Sequence, residues 1–334
     1  MSGDNLSCFY IPHRMNTLYS RLYKSSATAF PKALKTIWWL LKLIIPISLI
    51  VSFLQYWGII SQIALILSPA FSFIGLPGES AVVFITSIFL PLYGPIAIIS
   101  SLPLDMREIT ILALMCLISH NLFVETAVQK KTGSSALIMF FLRISCSIIV
   151  AYILNLFLPA QVGITQTIQQ SQLFGNVQDM LHNWIISTGL LSLKISLIIT
   201  GLMILQNLLK EFNILIVIAR IFAPLMRLFG LTDDCSFLWF IAQTLGLAYG
   251  SAVSIEAVES KTISLKSANL LNYHIAINHS LLEDTLLFVA IGVPVGWIVA
   301  PRLFLAILVV WSVRGLTKLK IKIKEEPKIY IKEY

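Results

Sequence analysis

The sequence is poor in charged residues. Only 12% of its 334 residues are Asp, Glu, Lys or Arg, whereas 57% are hydrophobic and the mean hydropathy is +0.86. Soluble domains carry roughly a quarter charged residues. The scarcity of charge therefore excludes an ordinary soluble protein. Because α-helices satisfy their own backbone hydrogen bonds in lipid, the composition predicts an all-α, polytopic integral membrane protein.

The sequence also lacks the common motifs of catalysis and cofactor binding. It contains no GxxxxGK[ST], HExxH or GxSxG string, which excludes the usual phosphate-binding loop, zinc protease and serine hydrolase signatures. Its four cysteines show no paired spacing, so neither a disulfide framework nor a zinc knuckle is indicated. We expect no enzymatic activity and no resident cofactor.

The excess of positive charge is confined to the two ends. Residues 1–36 and 314–334 each contribute +4 to the formal charge of +8, and the basic and acidic residues between them balance. Short basic tails beside apolar segments mark the cytoplasmic side of a membrane and do not resemble a nucleic-acid platform. We therefore expect both termini in the cytoplasm, an inner-membrane location, the lipid bilayer as partner and no nucleic acid.

The apolar stretches indicate about 8–10 transmembrane helices. They form two sets of five, and the second stretch of each set has a central proline, Pro69 or Pro224. Some segments are therefore expected to be broken or re-entrant. If all ten stretches cross, the connector at 160–182, which contains no Lys or Arg, lies outside and most Lys and Arg lie inside. The stretches are 37–56, 59–76, 80–101, 109–124 and 135–159, then 184–209, 212–231, 236–257, 268–290 and 293–313.

The two halves of the chain resemble each other. LSPAFSFIGLPGES at 67–80 aligns with FAPLMRLFGLTDDCS at 222–236 at an offset of 155, and SHNLFVET at 119–126 aligns with NHSLLEDT at 278–285 at an offset of 159. The same second offset aligns Arg143 with Arg302. An internal repeat is therefore predicted.

The repeat divides the chain into five parts. These are a basic cytoplasmic segment (1–36), a first membrane repeat (37–160), an extracytoplasmic connector (161–183), a second membrane repeat (184–313) and a basic cytoplasmic tail (314–334). An odd number of crossings in each repeat makes the two repeats inverted. In such proteins the binding site lies near the bilayer midplane, where the repeats meet.

GLPGES, followed by a broken apolar segment and SHNLFVETAVQKKTG, resembles the Gate domain, also called the nucleoside-recognition domain. It is similar to segments of concentrative nucleoside transporters, ferrous-iron transporter B and spore-maturation membrane proteins. The resemblance implies a transport-related fold with tandem Gate-like repeats. Since the GTP-binding motif of the iron transporter is missing, transport would use an ion gradient or a partner.

Ionisable and amide side chains inside the apolar segments are the candidate site, because such groups are costly in a membrane. Histidine and carboxylate ligands suit a divalent metal, and the same groups can hydrogen-bond a polar solute. The candidates for substrate binding are Glu79, His120, Asn121, Glu125, Asp234, Asn278, His279, Glu283 and Asp284. The candidate metal ligands among them are His120, Glu125, His279 and Asp284.

Structural roles compete with these functions. Arg143 and Arg302 are expected to form ion pairs with the acids, and Glu79 and Asp234 fit helix caps because each follows a Gly-Leu pair at the start of an apolar segment. The leading hypothesis is a transporter that moves a nucleoside-like solute or a divalent metal through one central site. The alternative is a non-transporting assembly scaffold, similar to spore-maturation Gate proteins.

Overall fold

The described part of the chain folds into two series of seven α-helices with the same order. The computed structural model describes residues 13–162 and 176–325. The first series contains α1 (His13–Tyr56), α2 (Ile59–Ser72), α3 (Ser80–Phe89), α4 (Tyr93–Ile99), α5 (Met106–Ser119), α6 (Leu122–Lys131) and α7 (Ala136–Phe157). The second contains α8 (Val177–Glu211), α9 (Ile214–Leu228), α10 (Ser236–Thr244), α11 (Gly246–Glu259), α12 (Leu265–Ile277), α13 (Leu281–Ala290) and α14 (Val295–Glu325).

Backbone turns recur at equivalent positions of the two series. Four pairs of residues with positive φ are separated by the predicted offsets: Gly58 and Asn213, Gly75 and Gly230, Asn121 and Ser280, and Gly133 and Gly292. A positive φ is uncommon outside glycine, so its recurrence in Asn and Ser indicates a turn required by the fold. The predicted repeat is thus confirmed at the level of the backbone.

The two repeats are inverted relative to each other. Helices α1 and α8 are equivalent elements that pack along their lengths. The N-terminal part of α1 meets the C-terminal part of α8, where Arg21 Nε lies 2.9 Å from Glu211 Oε1. The other ends meet where Trp184 Nε1 donates to Ser48 Oγ at 3.0 Å. Equivalent helices that run antiparallel require a pseudo-twofold axis perpendicular to them, which lies in the plane of a membrane that they cross.

Within residues 13–162 and 176–325, five segments are long and apolar enough to cross a membrane, namely Leu18–Tyr56, Met106–Lys131, Ala136–Phe157, Val177–Glu211 and Val295–Leu319. The Met106–Lys131 segment contains both α5 and α6. Helices such as α2 and α9 have 14 and 15 residues, fewer than the roughly 20 that a spanning helix needs. Large side chains on the outside, such as Leu65 and Ile66, are more than three-quarters exposed, as lipid-facing residues are. The count of 8–10 crossings stays a prediction.

The helix breaks lie at different positions from those that the prolines suggested. Helices α2 and α9 continue through Pro69 and Pro224. The interruptions instead fall between α3 and α4, in the segment after GLPGES that the sequence predicts as broken, and within three stretches predicted as single segments, between α5 and α6, α10 and α11, and α12 and α13. A proline mid-helix is tolerated where neighbouring groups satisfy the freed carbonyl, whereas these four breaks coincide with extended or left-handed residues.

Three helices run beyond the predicted repeat boundaries. Helix α1 begins at His13, α8 at Val177 and α14 continues to Glu325, because Lys, Arg and other polar residues favour helix as well as apolar ones do. The change in composition at 36, 183 and 313 marks the start or end of apolar sequence and not a helix terminus. Residues 1–12, 163–175 and 326–334, which include parts of both tails and most of the connector, lie outside the described residues.

Candidate functional site

Two equivalent helix breaks meet at the centre of the protein, the point at which His120 and His279 face each other. Between α5 and α6, His120 is extended and Asn121 is left-handed. Between α12 and α13, Asn278 is extended and Ser280 is left-handed. Each break is fixed to the preceding helix pair, since Asn121 N donates to Ser87 O at 2.8 Å and Ser280 N donates to Ala242 O at 2.9 Å.

Two buried arginines satisfy carbonyl groups that the breaks leave free. Arg143 on α7 donates to Ile118 O at 2.6 Å through Nε and to His120 O at 2.8 Å through Nη2. Arg302 on α14 donates in the same way to Ile277 O at 3.5 Å and to His279 O at 2.6 Å. Both side chains are fully buried. Each arginine therefore positions the histidine of its own repeat through the histidine's backbone.

The two histidines meet at the pseudo-twofold axis. The ring centroids of His120 and His279 are 5.1 Å apart. Nδ1 of His120 lies 3.1 Å from Cys116 O, and Nδ1 of His279 lies 2.7 Å from Ile275 O. A carbonyl oxygen accepts hydrogen bonds only, so both Nδ1 atoms carry a hydrogen. Each Nε2 is left for contacts where the two repeats meet.

A glutamate from the first repeat contacts both histidines. Glu125 Oε1 lies 3.2 Å from His120 Nε2 and 3.3 Å from His279 Nε2. Its Oε2 forms an ion pair with Arg143 Nη1 at 2.7 Å. The Glu125 side chain is only 3% exposed, which makes this a desolvated ion pair.

The second repeat does not reproduce that ion pair. Asp284 occupies the position of Glu125, but no carboxylate oxygen among the described residues lies within 4.0 Å of Arg302. The expected pairing of Arg302 with an acid is therefore wrong, because the aspartate is one methylene shorter than the glutamate. Asp284 Oδ2 instead points toward the centre, 4.0 Å from His120 Nε2, with no hydrogen-bond donor among the described residues.

Glu283 lies beside the centre and binds a residue that sequence reasoning missed. The hydroxyl of Tyr93 at the start of α4 donates to Glu283 Oε1 at 2.6 Å. Tyr93 is buried and Glu283 is half-buried. A Cβ added to Gly246 would lie 3.6 Å from Glu283 Oε2, so the break before α11 also reaches this carboxylate. The recurrence of Tyr-Gly at 93–94 and 249–250 was the signal that could have identified this tyrosine.

The structure places the amide candidates at the two breaks, but not in equivalent roles. Asn121 is half-buried and supplies the left-handed residue of the first break. Asn278 is fully buried, and its backbone carbonyl accepts from Gln243 Nε2 at 2.7 Å. Neither side-chain atom of Asn278 has a hydrogen-bond partner among the described residues. The buried amide of Asn278 is therefore available to a polar group at the centre.

Glu79 and Asp234 are not brought to the centre. They lie at the N-terminal ends of α3 and α10, whereas the C-terminal ends of these helices contact the breaks. Because ten residues of helix span about 15 Å, the length of the helix separates each acid from the centre. Glu79 is half-buried and faces Glu108. It makes no capping hydrogen bond, so the cap interpretation gains no support either.

Asp234 lies exposed in the 3-10 turn Asp233–Cys235. Beside it, Arg227 Nη2 donates to Asp233 Oδ2 at 2.6 Å and lowers the pKa of the Asp233 carboxyl through this hydrogen bond. This end of α10 is a solvent-facing turn. The assignment of Glu79 and Asp234 to the substrate site is therefore not supported by their positions.

His274 is buried apart from the centre. Its Nδ1 accepts from Trp239 Nε1 at 3.3 Å, and its ring lies 5.2 Å from that of Phe229. The residue at the equivalent position of the first repeat is Met115. His274 is thus a packed histidine whose place an apolar side chain fills in the other repeat.

The fold and the centre define a class: a polytopic, all-α membrane protein made of two inverted repeats with a buried polar site between them. Over 284 residues, the chain is 30% identical to the uncharacterized membrane protein YvoD of Bacillus subtilis (strain 168), covering 84% of this chain and 90% of YvoD. The chain therefore belongs to the same family of membrane proteins as YvoD. No protein-family model matches the chain, so membership of the Gate domain family is not confirmed. No solved structure matches it either.

Proposed function

We propose that the protein is a membrane transporter whose translocation site is the centre between its repeats. The observation that carries this proposal is the contact of His120 with His279, two equivalent residues at helix breaks, on the axis that relates inverted repeats. Transporters of this architecture bind substrate at the repeat interface and expose it to either side by rocking one repeat against the other.

The free-energy cost of burying ionisable groups at the centre supports a function beyond packing. His120, Glu125, Arg143, His279, Asp284 and Arg302 are all buried. An ionisable group in the middle of a membrane helix costs on the order of 2.5–3.5 kcal/mol by insertion scales. The Arg143 ion pair offsets part of this cost in the first repeat. Asp284 and Arg302, without such a pair, indicate that the site is adapted to a ligand.

The two turns that resemble Gate domains have different positions relative to this centre. SHNLFVET contains the break at His120, whereas GLPGES lies at the far end of α3. We propose a Gate-like fold in which the SHNLFVET turn binds substrate and the GLPGES turn serves the packing of helices within the first repeat. We also infer an inner-membrane location with both termini cytoplasmic, supported by the basic tails.

Flux into proteoliposomes tests the transport proposal. Purified protein is reconstituted and uptake of Zn²⁺, Mn²⁺ and uridine is measured in separate assays, with and without a proton gradient. We expect uptake of at least one substrate, lost in a His120→Gln, His279→Gln double variant. His274→Met, which substitutes a buried histidine outside the centre, is the matched control and should transport normally.

The alternative is a static assembly scaffold, and the arginine contacts favour it specifically. Arg143 and Arg302 fix both breaks to α7 and α14 through main-chain carbonyls, as a rigid framework would require. A scaffold should move no substrate, and its double histidine variant should still rescue a deletion strain. That pair of results would overturn the transport proposal.

A further inference from the structure

We infer that the centre binds one divalent first-row transition metal ion through His120 Nε2, His279 Nε2 and Asp284 Oδ2. Each of the three residues offers a ligand atom within 4.8 Å of those of the other two, and all three residues are buried. The inference rests on the proposed function only for the role of the ion as cargo. The binding site itself stands on the chemistry of the side chains.

The first argument is that hydrogen-bond acceptors face each other. Both imidazoles use Nδ1–H toward a backbone carbonyl, which leaves each neutral ring with a lone pair on Nε2. Both Nε2 atoms face Glu125 Oε1 at 3.2 and 3.3 Å. The carboxylate, whose other oxygen contacts Arg143 Nη1 at 2.7 Å, presents an acceptor atom as well. Acceptors converging this closely repel each other unless a cation lies among them.

The distances fit a metal ion. In a tetrahedral zinc site with metal–nitrogen bonds of about 2.0–2.1 Å, neighbouring ligand atoms are about 3.3 Å apart. His120 Nε2 and Asp284 Oδ2 are 4.0 Å apart, and the ligand atoms of the three residues lie within 4.8 Å of one another, so small side-chain movements bring them to this spacing around an ion. Imidazole and carboxylate ligands together are typical of zinc, iron and manganese sites.

The surroundings of the ligands also match a metal site. Ligating histidines usually donate their other ring nitrogen to a carbonyl or carboxylate, which fixes the tautomer and the ring orientation. Cys116 O and Ile275 O accept from His120 and His279 in this way. In turn, Arg143 holds Glu125 against both Nε2 atoms. The groups that orient the two histidines are thus already in place.

A proton or a nucleoside fits less well. A proton on one imidazole satisfies one Nε2 contact with Glu125 and leaves Asp284 Oδ2 without a donor, whereas a metal ion binds both histidines and the aspartate. A pocket for an organic ligand has a volume of about 300–1,000 Å³. Ligand atoms within 4.8 Å of one another enclose room for a single ion.

Metal binding to the intact chain tests the inference. Purified protein in detergent is stripped with a chelator, and Zn²⁺ or Mn²⁺ alone is added in equilibrium dialysis with elemental analysis. Manganese is included because it prefers nitrogen and oxygen ligands, which separates the centre from the buried thiols of Cys116, Cys146 and Cys235. We expect about one bound ion per chain and much weaker binding of Mg²⁺, which requires octahedral oxygen ligands.

The variants assign the ion to its ligands. His120→Gln and His279→Gln should each weaken binding by more than about tenfold, since even the loss of a group that only orients a ligand costs 10- to 100-fold. Asp284→Asn, which preserves the shape of the side chain, should do the same and remains informative if a histidine variant fails to fold. His274→Met should bind like the parent protein.

The outcomes separate this inference from the proposed function. Unchanged binding in folded His120→Gln and Asp284→Asn, or no bound Zn²⁺ and Mn²⁺ in the folded parent, would overturn the metal site. Histidine-dependent flux of uridine without metal binding leaves transport intact and removes the metal. Stoichiometric, histidine-dependent metal binding without flux confirms the site and removes transport.

Discussion

Glu125 and Arg143 form an ion pair of 2.7 Å whose two side chains are at most 3% exposed. The residues at the equivalent positions of the second repeat, Asp284 and Arg302, form no such pair. The backbone of the two repeats is therefore symmetric at this point while the ionic contact is not. One carboxylate is neutralised inside its own repeat, and the other is directed at the centre, where a cation would complete its contacts.

This asymmetry predicts unequal effects on stability. Glu125→Gln leaves Arg143 buried without a counter-charge, which should lower the free energy of unfolding by about 3–5 kcal/mol. Asp284→Asn removes no ion pair and should change it by less than about 1 kcal/mol. Denaturant titration of both variants in detergent, followed by circular dichroism, measures the difference. Equal destabilisation by the two substitutions would show that the ion pair of Glu125 with Arg143 makes no contribution of its own to the free energy of unfolding.

The Tyr93 hydroxyl connects the two repeats by donating to Glu283. Tyr93→Phe should lower the free energy of unfolding by about 1.5–3 kcal/mol, because a hydrogen bond to a charged group is lost. A double-mutant cycle with Glu283→Gln should give a coupling energy of at least about 0.5 kcal/mol. Tyr152→Phe is the control, since its ring stacks on Phe73 at 5.0 Å. Additive effects of Tyr93→Phe and Glu283→Gln would contradict the contact.

Gly78 permits a close approach of two backbones. A Cβ at this position would collide with the carbonyl of Ala64 on α2, and a backbone group cannot turn away as a side chain does. Gly78→Ala should therefore destabilise the protein by about 1–3 kcal/mol. At Gly189, in the interior of α8, a Cβ meets nothing within 4 Å, and Gly189→Ala should stabilise slightly. Thermal unfolding of both variants is the measurement, and similar midpoints would refute the packing argument.

Sequence reasoning identified the repeat and the central histidines because both depend on short-range patterns. A proline, a glycine, a histidine and an arginine recur at two fixed offsets. The ends of α1, α8 and α14 were not predictable from composition, because a helix continues where hydropathy falls. The separation of Glu79 and Asp234 from the centre depends on which end of α3 and α10 contacts the breaks, and only tertiary packing determines that. The unpaired Arg302 follows from one methylene group, a difference too small for pattern matching.

The antiparallel packing of α1 and α8 is the basis of the inverted repeat, and cross-linking tests it directly. Ser48 Oγ lies 3.3 Å from Thr188 Oγ1, so a Ser48→Cys, Thr188→Cys variant should form a disulfide under mild oxidation, given the short reach of the S–S bond. A Ser48→Cys, Asn207→Cys variant is the matched control, because Asn207 contacts Ser25 and Thr28 near the other end of α1. Peptide mapping by mass spectrometry identifies the bonded cysteines. Cross-linking of the control but not of the first pair would mean that the two helices run parallel, and the axis between the histidines would then lie along the membrane normal.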